Sequence, residues 1–458
     1  MEMNRKNRSK RFPGLKMLYV VVLLAFCCLP LLLVPLAGES DSAEKRTLAA
    51  FPSLIKDGAL NTAFSSELDD WITDHFAFRS QLITANNALK AAAFATSDED
   101  KVIVGTDDWL YFAETAADYL GQNRLEDADL ERLAVSLDLI AEYVSGRGGT
   151  FVFAVAPNKS TIVPEHMPAY YRRTAEPTNL DRLSDRLADK RYFADLRGAL
   201  RTAEGQTYHA RDSHWNNLGA RVGYNTILDT AGKAHETYAD AAWEWERNWA
   251  GDLDAMIFPT LGYQDRQAVF AVDWTYRYTS NFHSEEDVLI TTRNDGADGS
   301  LLMFRDSFTN ALLPFLAQNF GSAKFSRAVP YSLGELETAA YDTVVIEIVE
   351  RNLRNLLQSA PVMPAPGRTL TTEPKEAEGA VLRTRDTGGY RHFYGAVGEP
   401  ADAEHLYLRL SNGTEVRYVE AFPLYEASLL KDSGAEGAGF SAYIPLEDCE
   451  GSEVTVVL

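Results

Sequence analysis

Segments with a helical spacing of apolar residues alternate with short, unbroken apolar runs along most of this chain. Apolar residues recur every three or four positions over 63–95 and again over 125–143. The unbroken runs TFVFAVA at 150–156 and TVVIEIV at 343–349 are typical of strands that are buried on both faces of a parallel sheet. The alternation predicts an open parallel α/β sheet with flanking helices and a site at the carboxyl ends of its strands.

The same alternation predicts the other elements of a domain over 63–359. The strand at 301–304 runs directly into a helix at 309–320, so the residues between them lie at the edge of the sheet where a site is expected. The remaining predicted elements are a hairpin at 102–112, helices at 180–190, 216–230 and 351–358, and a strand at 192–196.

The pattern changes after residue 359. Three prolines within APVMPAPG predict a linker over 360–370. Short alternating runs then predict a small antiparallel β-domain, most simply a β-sandwich, over 371–458. Asn412-Gly413 favours a hairpin turn within it, because both residues tolerate positive φ. The predicted strands are 380–384, 390–397, 405–410, 416–425, 440–444 and 454–458.

The amino-terminal residues predict export of the rest of the chain. Residues 1–16 carry six basic side chains and one acid, whereas 17–36 contain no charged side chain. A helix of about 20 apolar residues spans the hydrocarbon core of a bilayer, and the preceding positive charge keeps the amino terminus in the cytoplasm. We favour an uncleaved transmembrane anchor, followed by a stalk over 37–62, over a cleaved signal peptide. Both interpretations place the main part of the chain outside the cytoplasm.

Composition excludes some classes of protein. Acidic residues outnumber basic ones by 66 to 44, giving a net charge of −22, which argues against a nucleic-acid binder. An apolar content of 46% argues against disorder. Outside the apolar segment Cys449 is the single cysteine, so neither an internal disulfide nor a cysteine-rich zinc site is possible there. We predict no metal site and no cofactor.

Two short segments contain the residues that are candidates for catalysis. The first, RDSF at 305–308, lies between a predicted strand and a predicted helix. A serine at such a junction is presented at the top of the sheet, and the amides of the following helix favour an oxyanion beside it. The alternative is that Asp306 or Ser307 only caps the helix.

The second segment is DSHW at 212–215. An aspartate two residues before a histidine can orient the imidazole ring and stabilise its protonated form. A serine hydroxyl is a weak nucleophile that needs such a base. The alternative is a surface turn that leads into the next helix, with Trp215 in the core.

The ordered set of motifs resembles the alginate O-acetyltransferase family of the AlgJ and AlgX type and the related DHHW proteins. These are SGNH-hydrolase-like enzymes of the bacterial cell surface. The resemblance covers roughly 64–355, and no single motif decides it. The matching segments are WITDHFAFR at 71–79, GTDDWLY at 105–111, APNK at 156–159, YHARDSHWNNLG at 208–219, RDSF at 305–308 and VER at 349–351.

The resemblance implies an SGNH-hydrolase-like fold in which Ser307 is the nucleophile, His214 the general base and Asp212 the residue that orients His214. It implies a cell-surface O-acetyltransferase that moves an acetyl group onto a polysaccharide or cell-wall glycan. A multi-pass membrane O-acyltransferase (MBOAT type) is the implied acetyl-donating partner. Two alternatives stay open: a carbohydrate acetyl-esterase with the same triad, and a non-catalytic glycan-binding or assembly protein.

Weaker candidates for substrate or oxyanion contacts lie near the ends of the predicted strands and, for Asn310, one turn after Ser307. Lys159 is either such a contact or a solvated loop residue, and Arg305, where many members have glycine, contacts either the glycan or local carboxylates. For Arg351 we favour an ion pair with Glu347. The full set of weaker candidates is Asn158, Lys159, Arg305, Asn310 and Arg351.

Overall fold

Helices and strands alternate in the computed structural model, which describes residues 13–33, 48–56, 58–398, 405–425 and 437–458. In these residues the α-helices are α1 (Pro13–Leu33), α2 (Phe64–His75), α3 (Arg79–Phe94), α4 (Ala116–Leu120), α5 (Asp127–Ser145), α6 (Lys159–Ile162), α7 (Asn179–Arg186), α8 (Leu196–Thr202), α9 (Asn217–Ala231), α10 (Asp252–Ile257), α11 (Thr309–Asn319) and α12 (Leu446–Cys449).

The strands in the same residues are β1 (Ile55–Lys56), β2 (Ala59–Leu60), β3 (Val102–Val104), β4 (Leu110–Phe112), β5 (Thr150–Ala156), β6 (Phe193–Ala194), β7 (Trp243–Trp249), β8 (Asp265–Phe270), β9 (Arg277–Tyr278), β10 (Leu289–Arg293), β11 (Ser300–Phe304), β12 (Ser322–Ser326), β13 (Thr343–Val349), β14 (Gly367–Arg368), β15 (Val381–Thr387), β16 (Tyr390–Gly398), β17 (Tyr407–Ser411), β18 (Val416–Glu420), β19 (Phe422–Tyr425), β20 (Gly437–Pro445) and β21 (Glu453–Val457).

The chain divides into two units. One consists of the described residues up to Val104 together with Ala250–Tyr263. Within it the single helix predicted over 63–95 is interrupted, because Phe78 takes a left-handed conformation with φ of 62° and separates α2 from α3. The Asn87 side chain of α3 donates a hydrogen bond to the carbonyl of Ile257 in α10, at 2.9 Å.

The second unit contains Gly105–Trp249 and Gln264–Leu458. Its central sheet has the order β6-β5-β13-β11-β12-β10-β9. The pairs from β6 to β12 are parallel, and β10 and β9 extend the sheet in antiparallel pairing. The predicted α/β class is therefore confirmed, but the sheet predicted to be parallel is only mostly parallel, because β10 and β9 pair antiparallel.

Helices cover this sheet because its central strands β5 and β13 are apolar and buried along almost their whole length. Every residue of β13 is buried, and so is β5 after its first residue. Phe151, Phe153 and Val155, which alternate along β5, belong to the same apolar core as α5, and α9 also packs on β5. Alternate side chains of a strand point to opposite faces, so a strand buried on both faces needs helices on both.

The carboxyl-terminal residues form two further antiparallel sheets, β14-β18-β17-β21 and β15-β16-β20-β19. A second apolar core lies among their strands and includes Phe393, Leu408 and Phe440. The change from parallel to antiparallel pairing is the one that the sequence predicts. The predicted strand over 416–425 divides at Ala421 into β18 and β19, which pair in different sheets.

The segment predicted as a linker is packed into the protein. Met363 is completely buried, and β14 pairs with β18. Phe422 and Leu424 of β19 share an apolar core with α5. Apolar contact therefore joins the antiparallel sheets to the helical layer. The proline-rich segment 360–370 is packed against the protein and is not a free linker.

The amino-terminal prediction is only partly covered by the described residues. Residues 1–12 and 34–47 lie outside them, and with them most of the predicted basic tail, the end of the predicted anchor over 17–36 and much of the predicted stalk. Among the residues described, no helix combines the length and the apolar character needed to cross a membrane.

Alanine at Gly219 in α9 is expected to destabilise the protein, although alanine is the better helix former by about 1 kcal/mol. An added Cβ would lie 2.4 Å from the carbonyl oxygen of Thr207 and 2.8 Å from the Cβ of Trp215. We expect Gly219→Ala to lower the free energy of unfolding by about 1–3 kcal/mol in urea denaturation. Gly198→Ala in α8, where no atom lies within 4 Å, is the control, and an equal loss there would contradict the explanation.

Candidate active site

Ser307 lies in the turn between β11 and α11, at the carboxyl edge of the parallel sheet. The neighbouring Asp306 fixes this turn: its carboxylate accepts hydrogen bonds from the amide of Phe308 at 2.9 Å and from the amide of Val349 at 2.7 Å. The Phe308 amide, just before the helix whose amides we expected to favour an oxyanion, is thus bound to Asp306. The Ser307 amide has no hydrogen-bond partner in the described part of the chain.

Asp212 and His214 lie in a tight loop that Tyr208 and Trp215 close by an antiparallel bridge. The amide of His209 donates to the carbonyl of His214 across the loop, at 3.2 Å. Asn216 then caps α9 by accepting from two of its first amides. The loop and the helix cap together hold Asp212 and His214 at the edge of the sheet.

A line of hydrogen bonds joins the two segments. The Nε2 of His214 lies 2.8 Å from the Oγ of Ser307, and its Nδ1 lies 2.7 Å from an Oδ1 of Asp212. A carboxylate only accepts, so Nδ1 carries the proton and Nε2 is left to accept from the serine hydroxyl. Asp212 is buried, and its Oδ1 also accepts from the His214 amide at 2.8 Å.

Aromatic residues pack beside this line. The ring of Phe308 lies 4.9 Å from the ring of His214, measured between centroids. The indole of Trp215, which is 1% exposed, donates to the carbonyl of Phe308 at 2.9 Å. These contacts lower the local polarity around His214, which strengthens its hydrogen bonds to Ser307 and Asp212.

Trp249 is a contact that the sequence analysis missed. At the end of β7, its indole donates to Oδ2 of Asp212 at 3.0 Å, so both carboxylate oxygens of Asp212 are hydrogen-bonded. Trp249 also stacks on His209, with ring centroids 4.8 Å apart. No local pattern marks it, because it lies 37 residues from Asp212 and approaches it only in the folded chain.

Lys159 and Asn158 follow β5 as predicted, but both are buried and bonded within the protein. The Lys159 ammonium donates to the carbonyls of His209, Ala210 and Asp212 at 3.1, 3.1 and 2.6 Å. The Asn158 side chain donates to Asp118 at 3.0 Å. Lys159 therefore contacts the backbone of the loop that carries the aspartate and the histidine.

Arg305 is 4% exposed and bonds inside the protein. Its guanidinium donates to the side chain of Asn310 at 2.7 Å and to the carbonyls of Glu285 and Asp287 at 2.6 and 3.1 Å. Burial, and then the charge of Arg327, lower the pKa of Arg305 to about 10. The sequence left two partners open for Arg305, the glycan and local carboxylates. In the structure the partners of Arg305 are mainly carbonyl groups instead. Asn310 supports it and donates to Glu286.

Arg351 lies over the rings of Phe112 and Phe308, 5.2 and 5.8 Å from their centroids. The expected ion pair with Glu347 is absent from the described residues. Glu347 is completely buried and accepts instead from the hydroxyl of Thr309 at 2.7 Å. Burial, and then the charge of Asp306, raise the pKa of Glu347 well above its usual value, so it attracts Arg351 weakly.

Comparison with known proteins gives a match to one family model. Residues 102–293 match the model described as an SGNH hydrolase-like domain, acetyltransferase AlgX. The resemblance to this acetyltransferase family is confirmed. The matched segment contains Asp212 and His214 and ends before Ser307, so the position of Ser307 beside His214 comes from the structure alone. No curated relative matches the chain.

The solved structures to which the chain is similar include those of three bacterial proteins. Bacillus cereus PatB1 is 16% identical with a TM-score of 0.42, over 55% of this chain and 96% of that one. The O-acetyltransferase domain of Pseudomonas putida AlgJ is 18% identical with a TM-score of 0.37, over 55% and 91%. Pseudomonas aeruginosa AlgX is 14% identical with a TM-score of 0.34, over 80% and 95%.

His209 predicts a loss of stability in acid. Burial lowers the pKa of His209 to about 4, whereas an unfolded histidine titrates near 6.5. The unfolded chain therefore binds this proton first, and stability falls as the pH drops from about 6.5 towards 4. At about 1.4 kcal/mol per pKa unit, we expect His209 to contribute up to about 3 kcal/mol to this loss.

Urea denaturation at pH 7 and pH 4.5 measures this contribution. His209→Gln is expected to flatten the pH dependence of the free energy of unfolding. His283→Gln, which changes a side chain that is 71% exposed, should alter the dependence less than His209→Gln. A His209→Gln profile parallel to the wild-type profile would show that His209 is not held neutral.

Proposed function

We propose that the protein is an O-acetyltransferase that moves an acetyl group onto an exported polysaccharide or cell-wall glycan through an acyl-enzyme on Ser307. The observation that carries this proposal is the continuous line of hydrogen bonds from Ser307 through His214 to Asp212. The match of 102–293 to an acetyltransferase model supports the type of group transferred.

In the first half-reaction the Oγ of Ser307 attacks the carbonyl carbon of an acetyl ester. His214 Nε2 takes the hydroxyl proton and passes it to the leaving oxygen, and the ester bond of the donor breaks. Asp212 stabilises the imidazolium that forms in between. The amide of Ser307, unpartnered among the described residues, is the donor that we propose for the developing oxyanion.

In the second half-reaction a sugar hydroxyl attacks the acetyl-serine ester. His214 Nε2 takes the proton of that hydroxyl, the bond between the acetyl carbon and Ser307 Oγ breaks, and the proton returns to the serine. If water attacks in place of the sugar, the same residues hydrolyse the acetyl group. The two activities therefore differ only in the group that attacks the acetyl-serine ester: a sugar hydroxyl in a transferase and water in an esterase.

Charge near the site favours a neutral or weakly charged acceptor. A densely anionic glycan needs accessible cations to offset the net charge of −22. Of the three cations that the sequence places near the site, Lys159 and Arg305 are buried and bonded to carbonyl groups. Of these three cations, Arg351 is therefore the one that we expect to contact the glycan acceptor.

We place the reaction outside the cytoplasm, with a multi-pass membrane O-acyltransferase as the acetyl donor. Support for export comes from the six basic residues ahead of an uncharged segment of 20 residues. Acetyl groups are activated inside the cell, so an exported acetyltransferase needs a membrane partner to deliver them.

Removal of the nucleophile or the base is expected to abolish ester turnover. Ser307→Ala and His214→Ala should each lower kcat/KM for p-nitrophenyl acetate by about 10³-fold or more, and Asp212→Asn by about 10²–10⁴-fold. Ser300→Ala, at the opposite end of β11, is the control and should retain activity. Unchanged turnover in the Ser307 and His214 variants would refute the assignment, and product analysis with and without glycan distinguishes transfer from hydrolysis.

Arg351 is expected to bind the acceptor. Arg351→Ala should raise the KM for an oligosaccharide acceptor about tenfold or more, the scale of a lost hydrogen bond to a charged group, with a smaller change in kcat. Arg391→Ala, which removes an arginine paired with Asp386 in the antiparallel sheets, is the control. An unchanged acceptor KM in Arg351→Ala would exclude this contact.

A further inference from the structure

The carboxyl end of β13 contacts both halves of the candidate active site. On one side, the amide of Val349 donates to Asp306 at 2.7 Å, and Glu347 accepts from the hydroxyl of Thr309 at 2.7 Å. Asp306 and Thr309 lie on either side of the turn that carries Ser307. This side of the strand end therefore fixes the serine.

The next residue, Glu350, contacts the other half through α6. Its carboxylate Oε2 accepts from the amide of Asn158 at 2.8 Å and from the hydroxyl of Thr161 at 2.6 Å. Asn158 is the residue that precedes α6, and Thr161 lies inside it. Glu350, which is 2% exposed, thus holds the start of this short helix, whose first residue is Lys159.

Lys159 continues the path to the histidine loop. Its three hydrogen bonds reach the carbonyls of His209, Ala210 and Asp212. Its ammonium lies 5.5 and 5.1 Å from the ring centroids of Trp109 and Tyr111. Burying this ammonium costs desolvation free energy, which its hydrogen bonds to the loop carbonyls offset. Removal of Lys159 would leave those carbonyls without this donor, so we expect the loop to change its shape.

We infer that Glu350 and Lys159 are positioning residues that set the place of His214 relative to Ser307. Glu350 contacts the start of α6, and Lys159 contacts the backbone of the histidine loop, so they act through these two elements. The carboxyl end of β13 then holds both residues in place: the serine directly, and the histidine through α6 and Lys159. It thereby sets the 2.8 Å contact between Ser307 Oγ and His214 Nε2. This inference rests on the proposed function, in which that contact carries the proton transfer.

The expected effect is a loss of kcat with little change in KM. Glu350→Ala and Lys159→Met should each lower kcat for p-nitrophenyl acetate about 10- to 100-fold, because a displacement of about 1 Å has that effect on a positioned reaction. KM should stay within about threefold of the wild-type value, because the residues do not contact substrate. Glu350→Gln keeps an oxygen that can accept from Asn158 and Thr161, and should recover about tenfold over alanine.

Two further comparisons separate positioning from general destabilisation. Glu420→Ala removes an equally buried glutamate from the antiparallel sheets, and should lower the melting temperature without lowering kcat. The double variant Glu350→Ala/Lys159→Met should lose little more activity than the worse single variant, since residues on one path are not additive. Additive losses, or an equal loss of kcat in Glu420→Ala, would overturn the inference.

Crystal structures provide a readout that does not depend on activity. In Lys159→Met and in a folded Glu350→Ala the distance between Ser307 Oγ and His214 Nε2 should exceed about 3.5 Å, beyond hydrogen-bonding range; if Glu350→Ala does not fold, Lys159→Met decides alone. An unchanged distance in the folded variants would overturn the inference. If the wild-type protein turns over no ester, the proposed function fails, and this distance still decides the positioning role.

Discussion

The parallel pairing of β5, β13 and β11 is the constraint on which the rest of the site depends. β13 lies between the other two, with Ile346 opposite Phe153 of β5 and Phe304 of β11. In parallel strands the carboxyl ends meet at one edge. Residues that follow the three strands are thereby brought together, although about 190 positions of the chain separate the first strand from the last.

Several charged groups at this edge, among them Lys159, Arg305, Glu347 and Glu350, are buried and bond within the protein. Lys159 and Arg305 bond to carbonyls, and Asp306 accepts from two amides. Burial favours the neutral forms of Glu347 and Glu350: the pKa of Glu347 is raised well above its usual value, and that of Glu350 to about 7. These groups build a rigid frame of low net charge around Ser307 and His214.

The antiparallel sheets are part of the same packed unit as the catalytic residues. Side chains of β19 enter the core beneath α5, and Arg368 next to the proline-rich segment pairs with Glu142 of that helix and with Glu420 of β18. Because apolar burial is the main stabilising contribution in folding, removing these sheets would expose the core around α5. Their removal therefore changes the stability of the catalytic part as well as any binding that the sheets themselves support.

The sequence by itself determined the features that depend on neighbouring residues. β5 and β13 have the predicted bounds, because an unbroken apolar run bounded by polar residues is a local signal. The pairing of Asp212 with His214 also follows from a spacing of two residues. Only the tertiary structure decided that Trp249 bonds Asp212, that Lys159 faces inward and that Arg305 bonds to carbonyls. These partners come from distant parts of the chain, and which of them meet depends on how strands and loops pack, which no local pattern encodes.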